Sequence, residues 1–290
     1  MNLNEINIRD PFVLLYEDTY YLYGTRGETA FAKEAFGFDV YTSKDLTNWD
    51  GPTEIFRRSE GFFSKKNYWA PEVYFLSGRF YMFATFENQK KGLGTMVLVA
   101  DSPRGPFIPW SDGYLTPVEM RCLDGTLYTD RQGRNHLVFC HEWKQIHDGE
   151  ICVKDLSADL RRTIRAQRTL FHASEAKPFV KAFLLRNYVT DGPFLLRTED
   201  GRLHMLWSTL GKTGYVQAMA HSDNDEIDGK WTPDSELLFS ADGGHGMIFR
   251  DKSGQYLLTL HTPNTFGKEH PIFLKLTYEN GRFRCSGESL

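Results

Sequence analysis

The sequence has few cysteines, no long apolar run and no excess of positive charge. Its four cysteines include no CxxC pair, which argues against a zinc ribbon or a thioredoxin-type motif, and four are too few for a disulfide scaffold. No run of 18 apolar residues occurs, so no membrane span is predicted. With 34 Lys and Arg against 38 Asp and Glu, the chain has no basic footprint for nucleic acid. These absences predict a globular protein whose partner is neither a membrane nor a nucleic acid.

The N-terminal stretch MNLNEINIRDP also lacks the apolar core of a signal peptide. The sequence as it stands therefore predicts a cytoplasmic protein, whereas a leader removed before the first residue would make it secreted or periplasmic. The cysteines lie mostly in apolar runs and are expected to be reduced core residues. The sequence gives no indication of an oligomeric state.

What the sequence does have is aromatic residues, 14% of the chain, arranged in a pattern that recurs five times. The stretch RDPFVLLYEDTYYLYGT has a short polar head, an apolar strand, a turn and an aromatic strand, which is the signature of a hairpin. Each hairpin is followed by a third strand, and a fourth strand is predicted near 54–56 and 237–239. The hairpins are at 9–25, 69–86, 123–143, 190–209 and 243–262.

Five units of about 55 residues, each a meander of three or four strands, predict an all-β five-bladed β-propeller. The prediction treats residues 1–290 as a single domain. Two packed β-sandwiches are the alternative, but the five-fold recurrence fits blades better. The segment 161–183 interrupts the pattern as a long insertion with room for a helical turn.

One residue at the head of each hairpin is expected to lie at the same mouth of the central channel, because the innermost strands of all blades run along this channel. Three of them are acidic. A single Asp before a strand is often only a turn residue, but three in equivalent places favour a functional cluster whose members raise one another's pKa. Aromatic side chains around carboxylates suit a carbohydrate. The heads are Asp10, Ala70, Asp124, Asp191 and His245.

These motifs resemble glycoside hydrolase family 43, which includes α-L-arabinofuranosidases, β-xylosidases and arabinanases. The resemblance runs from Arg9 to about Phe283 and rests on RDPFV, WAPEV, LDGTL, DGPFL and GGHGMIF, in that order. It implies a five-bladed propeller and hydrolysis of glycosidic bonds with inversion. By that likeness Asp10 is the general base, and Asp124 orients the general acid and tunes its pKa.

The general acid is where the sequence departs from the family, which usually has Glu before Gly-Pro. Asp191 occupies that position here, and its side chain is shorter by one methylene group. Glu142, in CHEW, is the alternative acid, and it is equally consistent with a surface or substrate-binding carboxylate. A third interpretation is that the acid has been lost and the protein only binds sugar.

The remaining predicted site residues are expected to bind substrate: Trp69, Glu72, Glu142, Trp143 and His245. Trp69 and Trp143 are candidate stacking residues, whereas Phe86 is expected in the core. Glu72 is predicted to lie deeper, in a polar channel or against a sugar hydroxyl. No cofactor is required, but the resemblance implies a structural calcium ion in the central channel, contacted by His245 through water. A buried His that only satisfies backbone groups is the other interpretation.

The sequence therefore predicts an inverting, exo-acting glycoside hydrolase on arabinose- or xylose-containing saccharides. Insertions at 26–37 and 161–187 would close one end of the cleft and favour terminal sugars. Two alternatives stay open. A fructosidase-type propeller hydrolase shares the Arg-Asp-Pro motif, although its Glu-Cys acid motif is absent. A non-catalytic carbohydrate-binding propeller is the other.

Overall fold

The computed structural model describes residues 1–31, 34–88, 90 and 92–290. In these residues twenty strands form five four-stranded antiparallel sheets, and in each sheet strands that are neighbours in sequence are neighbours in space. The sheets are the five blades, numbered in chain order. A fourth strand is present in every blade, as the sequence predicted for the first and fourth.

The strands of the first three blades follow the predicted hairpins. Blade 1 contains β1 (Ile8–Tyr16), β2 (Thr19–Arg26), β3 (Gly37–Ser43) and β4 (Trp49–Arg57). Blade 2 contains β5 (Lys66–Leu76), β6 (Arg79–Asn88), β7 (Gly92–Ala100) and β8 (Ile108–Pro109). Blade 3 contains β9 (Cys122–Thr129), β10 (Asn135–His141), β11 (Glu150–Asp155) and β12 (Arg168–His172).

The last two blades repeat the same meander. Blade 4 contains β13 (Asp191–Arg197), β14 (Leu203–Gly211), β15 (Gly214–Ser222) and β16 (Trp231–Phe239). Blade 5 contains β17 (Gly244–Arg250), β18 (Tyr256–Thr262), β19 (His270–Glu279) and β20 (Arg282–Ser289). Helical structure is limited to one α-helical turn and three 3₁₀ turns in the described residues: α1 (Trp143–Ile146), Leu3–Glu5, Gly27–Thr29 and Ala173–Glu175.

The segment 161–183, predicted as a long insertion with room for a helical turn, does include a helical turn but also completes blade 3. It contains β12, the outer strand of blade 3, followed by the 3₁₀ turn Ala173–Glu175. The sequence did not predict β12 because its composition is polar. An outer strand buries few of its side chains and does not alternate clearly between apolar and polar residues. In the described part of the chain, no helix is long and apolar enough to cross a membrane.

The five blades close into a ring. Each first strand contacts the first strands of its two neighbours, and β1 completes the circle by packing on β17. The junction is sealed by an ion pair in which Arg9 Nη1 lies 2.6 Å from Glu269 Oε1, with the Glu269 side chain fully buried. The Asn7 side chain adds a hydrogen bond to the Glu269 carbonyl oxygen. The predicted five-bladed β-propeller is confirmed.

The core lies between the faces of adjacent blades, and aromatic residues fill much of it. Between blades 1 and 2, Phe86 is fully buried and meets the ring of Tyr68 edge-on at 4.8 Å. Phe38 and Phe56 pack on the same ring of Phe86. Edge-to-face pairs of this kind add to the stability gained from burial. The expectation that Phe86 belongs to the core is therefore met.

Candidate active site

The start of each inner strand has a left-handed backbone, which marks five equivalent positions. The φ angles are 53° at Asp10, 47° at Ala70, 56° at Asp124, 50° at Gly192 and 49° at His245. Each position coincides with a shift in the pairing register of its inner strand. A positive φ is costly for residues with a Cβ atom and is retained where a site needs it. These residues converge at one mouth of the channel.

In blade 4 the left-handed residue is Gly192, whereas comparison of the five hairpins in the sequence had placed Asp191 at this position. Asp191 pairs with Ser208 across the hairpin, as Arg9 pairs with Thr25 in blade 1. The equivalent of Asp10 in blade 4 is thus Gly192. A shift of one residue turns a side chain to the other face of a strand, so Asp191 enters the site from a different direction than Asp10. The sequence comparison matched Asp191 with Asp10 because both are acidic, and it therefore missed the offset of one residue between them.

A cavity of about 140 Å³ opens at this mouth and brings most of the predicted residues together. Sequence reasoning had named seven of its twelve lining residues. The lining residues are Arg9, Asp10, Phe31, Trp69, Leu123, Asp124, Glu142, Trp143, Lys144, Asp191, Tyr215 and His245.

Asp10 is buried and held by three neighbours. The Thr25 hydroxyl donates to Asp10 Oδ2 at 2.6 Å, and His245 Nδ1 lies 3.2 Å from Oδ1. The Asp10 backbone N–H donates to Nδ1 of His261 at 3.2 Å. Burial by itself would raise the pKa of Asp10, but His245, Arg9, His261 and the Thr25 hydroxyl outweigh it and hold the pKa below its usual value. Asp10 is therefore a carboxylate at neutral pH.

The two histidines behind Asp10 are uncharged at neutral pH. Burial, reinforced by the positive charge of Arg9, lowers the pKa of His261 to about 3. Burial also lowers the pKa of His245. Because His261 Nδ1 accepts a backbone N–H, its proton is on Nε2, which lies 3.4 Å from Asn264 Oδ1. Arg9 and the Thr25 hydroxyl favour the ionised form of Asp10 whatever the charge on the two imidazoles.

Unlike Asp10, whose pKa is lowered, Asp124 and Asp191 have raised pKa values. Burial, with the nearby carboxylates of Asp191 and Asp10, raises the pKa of Asp124 well above its usual value. Burial also raises the pKa of Asp191 to about 7, although the Tyr215 hydroxyl donates to its Oδ2 at 3.0 Å and opposes the rise. Asp10, which favours the carboxylate, thus shares the pocket with Asp191, which holds its proton up to about neutral pH, and acid–base catalysis needs such a pair.

Glu142 lies in the pocket wall between two cations. Its Oε2 atom accepts from Arg121 Nε at 2.8 Å, and its Oε1 atom lies 3.1 Å from Lys144 Nζ. Only 4% of the side chain is exposed. Both oxygens of Glu142 are thus engaged, whereas Asp191 meets a neutral hydroxyl.

The two candidate stacking residues flank the pocket. Trp69 donates from Nε1 to the Ala30 carbonyl oxygen, and the ring of Phe31 lies 6.0 Å away in an edge contact. Trp143 does not end a second strand, as the sequence had indicated, but begins α1. The edge of the Phe183 ring packs 5.5 Å from it. Each tryptophan is therefore fixed by a second aromatic residue.

Glu72 does not reach the pocket. It is buried on β5, where the Tyr74 hydroxyl donates to its Oε2 at 2.5 Å and lies 2.8 Å from the Thr126 hydroxyl. Burial raises the pKa of Glu72 to about 8, so the side chain is largely protonated at neutral pH. Of the two predictions for Glu72, this position fits the polar channel and not the contact with a sugar.

By the resemblance, a calcium ion in the central channel would lie near His245. Its Nδ1 lies 3.2 Å from Asp10 Oδ1 and 3.6 Å from Asp124 Oδ2. Among the described residues, no group of three or more His, Cys, Asp or Glu side chains is arranged to hold a metal ion. The described side chains around His245 therefore do not form a complete ligand set by themselves. The calcium ion stays a prediction.

Sequence reasoning gave no role to four residues that hold the carboxyl groups in place, although the ends of the second strands, which include Thr25 and His261, were expected at this rim. The four are Arg9, Thr25, Tyr215 and His261. Arg9 and Thr25 lie in the quoted opening motif, and their pairing across the hairpin was a usable signal. Tyr215 and His261 come from other blades, and their rings stack on each other at 5.6 Å. No sequence signal ties Tyr215 to Asp191, whereas the hairpin repeat already places His261, near the end of a second strand, at the rim where Asp10 lies.

Comparison with known proteins gives the chain a family. The family model described as Glycosyl hydrolases family 43 matches residues 4–283. The chain belongs to this family. A solved structure described as an endo-arabinase from Bacteroides thetaiotaomicron VPI-5482 is 38% identical, with a TM-score of 0.90, covering 98% of this chain and 99% of that one. This family 43 chain is a glycoside hydrolase, and its substrate is a carbohydrate.

Two further relatives are more distant. A structure of an exo-1,5-α-L-arabinanase from a bovine ruminal metagenomic library shares the fold at 16% identity, with a TM-score of 0.70 and 97% of each chain covered. An extracellular endo-α-(1→5)-L-arabinanase of Thermotoga petrophila is 28% identical over 142 residues. That match covers 45% of this chain and 30% of the Thermotoga protein, so this family 43 chain matches less than a third of that relative's length.

Proposed function

We propose that this chain is an inverting glycosidase that releases terminal sugars from arabinose-containing saccharides. The proposal is carried by the difference between two carboxyl groups in one pocket. Asp10 is held ionised, whereas Asp191 keeps its proton up to a pKa of about 7. Inverting hydrolysis needs one carboxylate and one carboxylic acid on opposite sides of the glycosidic bond.

In the proposed reaction, Asp10 takes a proton from a water molecule, and the water oxygen attacks the anomeric carbon. The bond from that carbon to the leaving oxygen breaks with its electron pair on the oxygen, which takes the proton of Asp191. Exchange with solvent then removes the proton from Asp10 and returns one to Asp191. Asp124 contributes by keeping negative charge low beside Asp191, because burial raises its own pKa.

The choice of arabinose over xylose rests on the relatives. The structure with 38% identity is described as an endo-arabinase, and the Thermotoga petrophila protein is named as an arabinanase. The structures described as a xylanase and a β-xylosidase are 24% and 17% identical. At those identities they support the fold alone.

The terminal mode of cleavage is supported by aromatic residues from the segments 26–37 and 161–187. Phe31, from the segment 26–37, packs on Trp69, and Phe183, from the segment 161–187, packs on Trp143. The Arg9 guanidinium lies 4.9 Å from the Phe31 ring centre. Walls on two sides of a small cavity favour the end of a sugar chain. Cleavage within the chain is the second candidate, favoured by the description of the relative with 38% identity.

The test is a time course on linear α-1,5-arabinan and its short oligosaccharides, with xylo-oligosaccharides in parallel. We expect the monosaccharide as the first product, a slow fall in viscosity, and a product whose anomeric configuration, read by proton NMR, is inverted. Early oligosaccharides with a fast fall in viscosity would establish cleavage within the chain. Equal turnover of xylo-oligosaccharides would overturn the preference for arabinose. Binding of free sugar without any hydrolysis would favour the non-catalytic alternative.

A further inference from the structure

Each second strand has an equivalent side chain near its end, and in four of the five blades this side chain accepts a hydrogen bond from the next blade. These side chains pair across their hairpins with Arg9, Trp69, Leu123, Asp191 and Gly244, so they occupy one equivalent position in the fold. They are Thr25, Thr85, Cys140, Ser208 and His261.

Two of the five junctions use a threonine hydroxyl. The backbone N–H of Ala70 donates to Thr25 Oγ1 at 2.8 Å, and that of Asp124 donates to Thr85 Oγ1 at 2.9 Å. In both, the donor is the left-handed residue at the start of the next inner strand.

Two more junctions follow the same rule with other acceptors. The backbone N–H of His245 donates to Ser208 Oγ at 2.7 Å, and that of Asp10 donates to His261 Nδ1 at 3.2 Å. A hydroxyl or an imidazole nitrogen at this position thus reaches the next blade. Each bond also satisfies a buried backbone donor that has no partner in its own sheet.

The junction between blades 3 and 4 is different, because Cys140 occupies the position there. A thiol is a weak acceptor. The Gly192 N–H donates instead to Oδ2 of Asp124 at 3.0 Å. Of the five equivalent N–H groups, this one is bonded to a carboxyl group of the pocket.

We propose that the hydrogen bond from the Gly192 N–H to Asp124 positions the general acid, because it ties the backbone beside Asp191 to the neighbouring carboxyl group, and that position 140 must carry no strong acceptor that would compete for this N–H. The proposal rests on the function proposed above. Gly192 follows Asp191 directly, so a bond at its nitrogen fixes the peptide that carries the acid. Asp124 and Asp191 are held as a pair across the blade junction.

A side chain at position 140 that accepts hydrogen bonds better than cysteine should therefore lower the activity more than a side chain that accepts none. Ser208 demonstrates that a serine at this position reaches the next blade. In Cys140→Ser the new hydroxyl should capture the Gly192 N–H and release Asp124, whereas in Cys140→Ala the N–H has only Asp124 to bond. The net free energy of one buried hydrogen bond is enough to change a rate about tenfold.

The experiment compares the two variants with wild type on an arabino-oligosaccharide and on a dinitrophenyl arabinoside. We expect kcat of Cys140→Ser on the oligosaccharide to fall about tenfold with KM nearly unchanged. Its turnover of the dinitrophenyl substrate, which needs little help from an acid, should stay near wild type, as should Cys140→Ala on both substrates. Cys152→Ser, at another fully buried cysteine, is the control for a new buried hydroxyl.

Equal kcat for Cys140→Ser and Cys140→Ala would overturn the proposal, as would a Cys140→Ser loss of equal size on both substrates. If Cys140→Ser or Cys140→Ala unfolds at a much lower denaturant concentration than wild type, the nearly isosteric pair Cys140→Thr and Cys140→Val repeats the comparison between a side chain with a hydroxyl and one without. A crystal structure of Cys140→Ser gives a readout without activity, since the Gly192 nitrogen must lie within hydrogen-bond distance of the new oxygen. A wild-type protein that cleaves no substrate would end the proposed function, while that structure would still decide which group takes the Gly192 N–H.

Discussion

The imidazole of His245 lies so close to the backbone of Gly192 that a methyl group on Gly192 would be 2.6 Å from the ring. This contact fixes His245 in the position from which its Nδ1 faces Asp10 and Asp124. Gly192 meets two demands at once, because its φ of 50° also disfavours any residue with a Cβ atom. The Gly-Pro that follows the acidic residue is thus part of the site.

The change Gly192→Ala should displace His245 and weaken the grip on Asp10. We expect kcat to fall at least tenfold, together with a loss of stability beyond the roughly 1 kcal/mol that a left-handed alanine costs. Steady-state kinetics and denaturant unfolding measure the two effects. Gly254→Ala is the matched control, because Gly254 also has a positive φ but nothing within 4 Å of the added methyl. Similar losses in both variants would mean that strain alone, and not the contact with His245, is responsible.

Asp10→Asn should remove hydrolysis while leaving folding and sugar binding largely intact. The amide cannot take a proton from water, and loss of a general base costs about 10²–10⁴-fold in kcat. The rate is measured on an arabino-oligosaccharide, and binding by calorimetry. Asp101→Asn, at a surface residue paired with Arg79, is the control. Activity near wild type in Asp10→Asn would place the base elsewhere.

Asp191→Ala and Glu142→Ala should differ in which substrates they affect. Without its acid, Asp191→Ala should lose hydrolysis of natural saccharides yet keep much of its turnover of dinitrophenyl glycosides, whose leaving group needs no proton, where bond cleavage limits the rate. Glu142→Ala removes a carboxylate held by Arg121 and Lys144, so both substrates should suffer to similar degrees. If the selective loss occurs in Glu142→Ala instead, the two roles are exchanged.

The activity should decline as the pH rises through about 7. Asp191 must be protonated to act as the acid, and its pKa is raised to about 7. Asp10 must be ionised, and since its pKa is lowered, the acid limb should lie below the usual range of an Asp. The profile of kcat/KM against pH on a natural saccharide measures both limbs. A profile that stays flat through pH 8 would contradict the assignment of Asp191.

Tyr215→Phe should move the alkaline limb to higher pH. The Tyr215 hydroxyl donates to Asp191 Oδ2 and stabilises the ionised form, so its removal makes the proton harder to lose. We expect an upward shift of the limb with the acid limb little changed. An unchanged alkaline limb would mean that another group produces it. Tyr256→Phe, at a tyrosine of β18 outside the pocket, serves as the control.

The sequence by itself determined the blades. A hairpin of alternating and aromatic residues recurs five times, and each copy carries local turn chemistry that fixes its register, as at Glu17-Asp18 and Ser77-Gly78, where both turn residues have positive φ. Because this information is local, the five-bladed propeller and the meeting of Asp10, Asp124 and Asp191 at one mouth could be predicted before the structure was known.

Only the tertiary structure decided how those carboxyl groups differ. Their pKa values depend on burial and on partners from other blades, such as His261 behind Asp10 and Tyr215 beside Asp191, and residues far apart in sequence carry no mark of such contacts. The one-residue shift at Gly192 was also hidden, because a bulge changes the face of a strand without changing its composition. Residue types are set along the chain, whereas the proton affinity of a buried group is set by everything that folding packs around it.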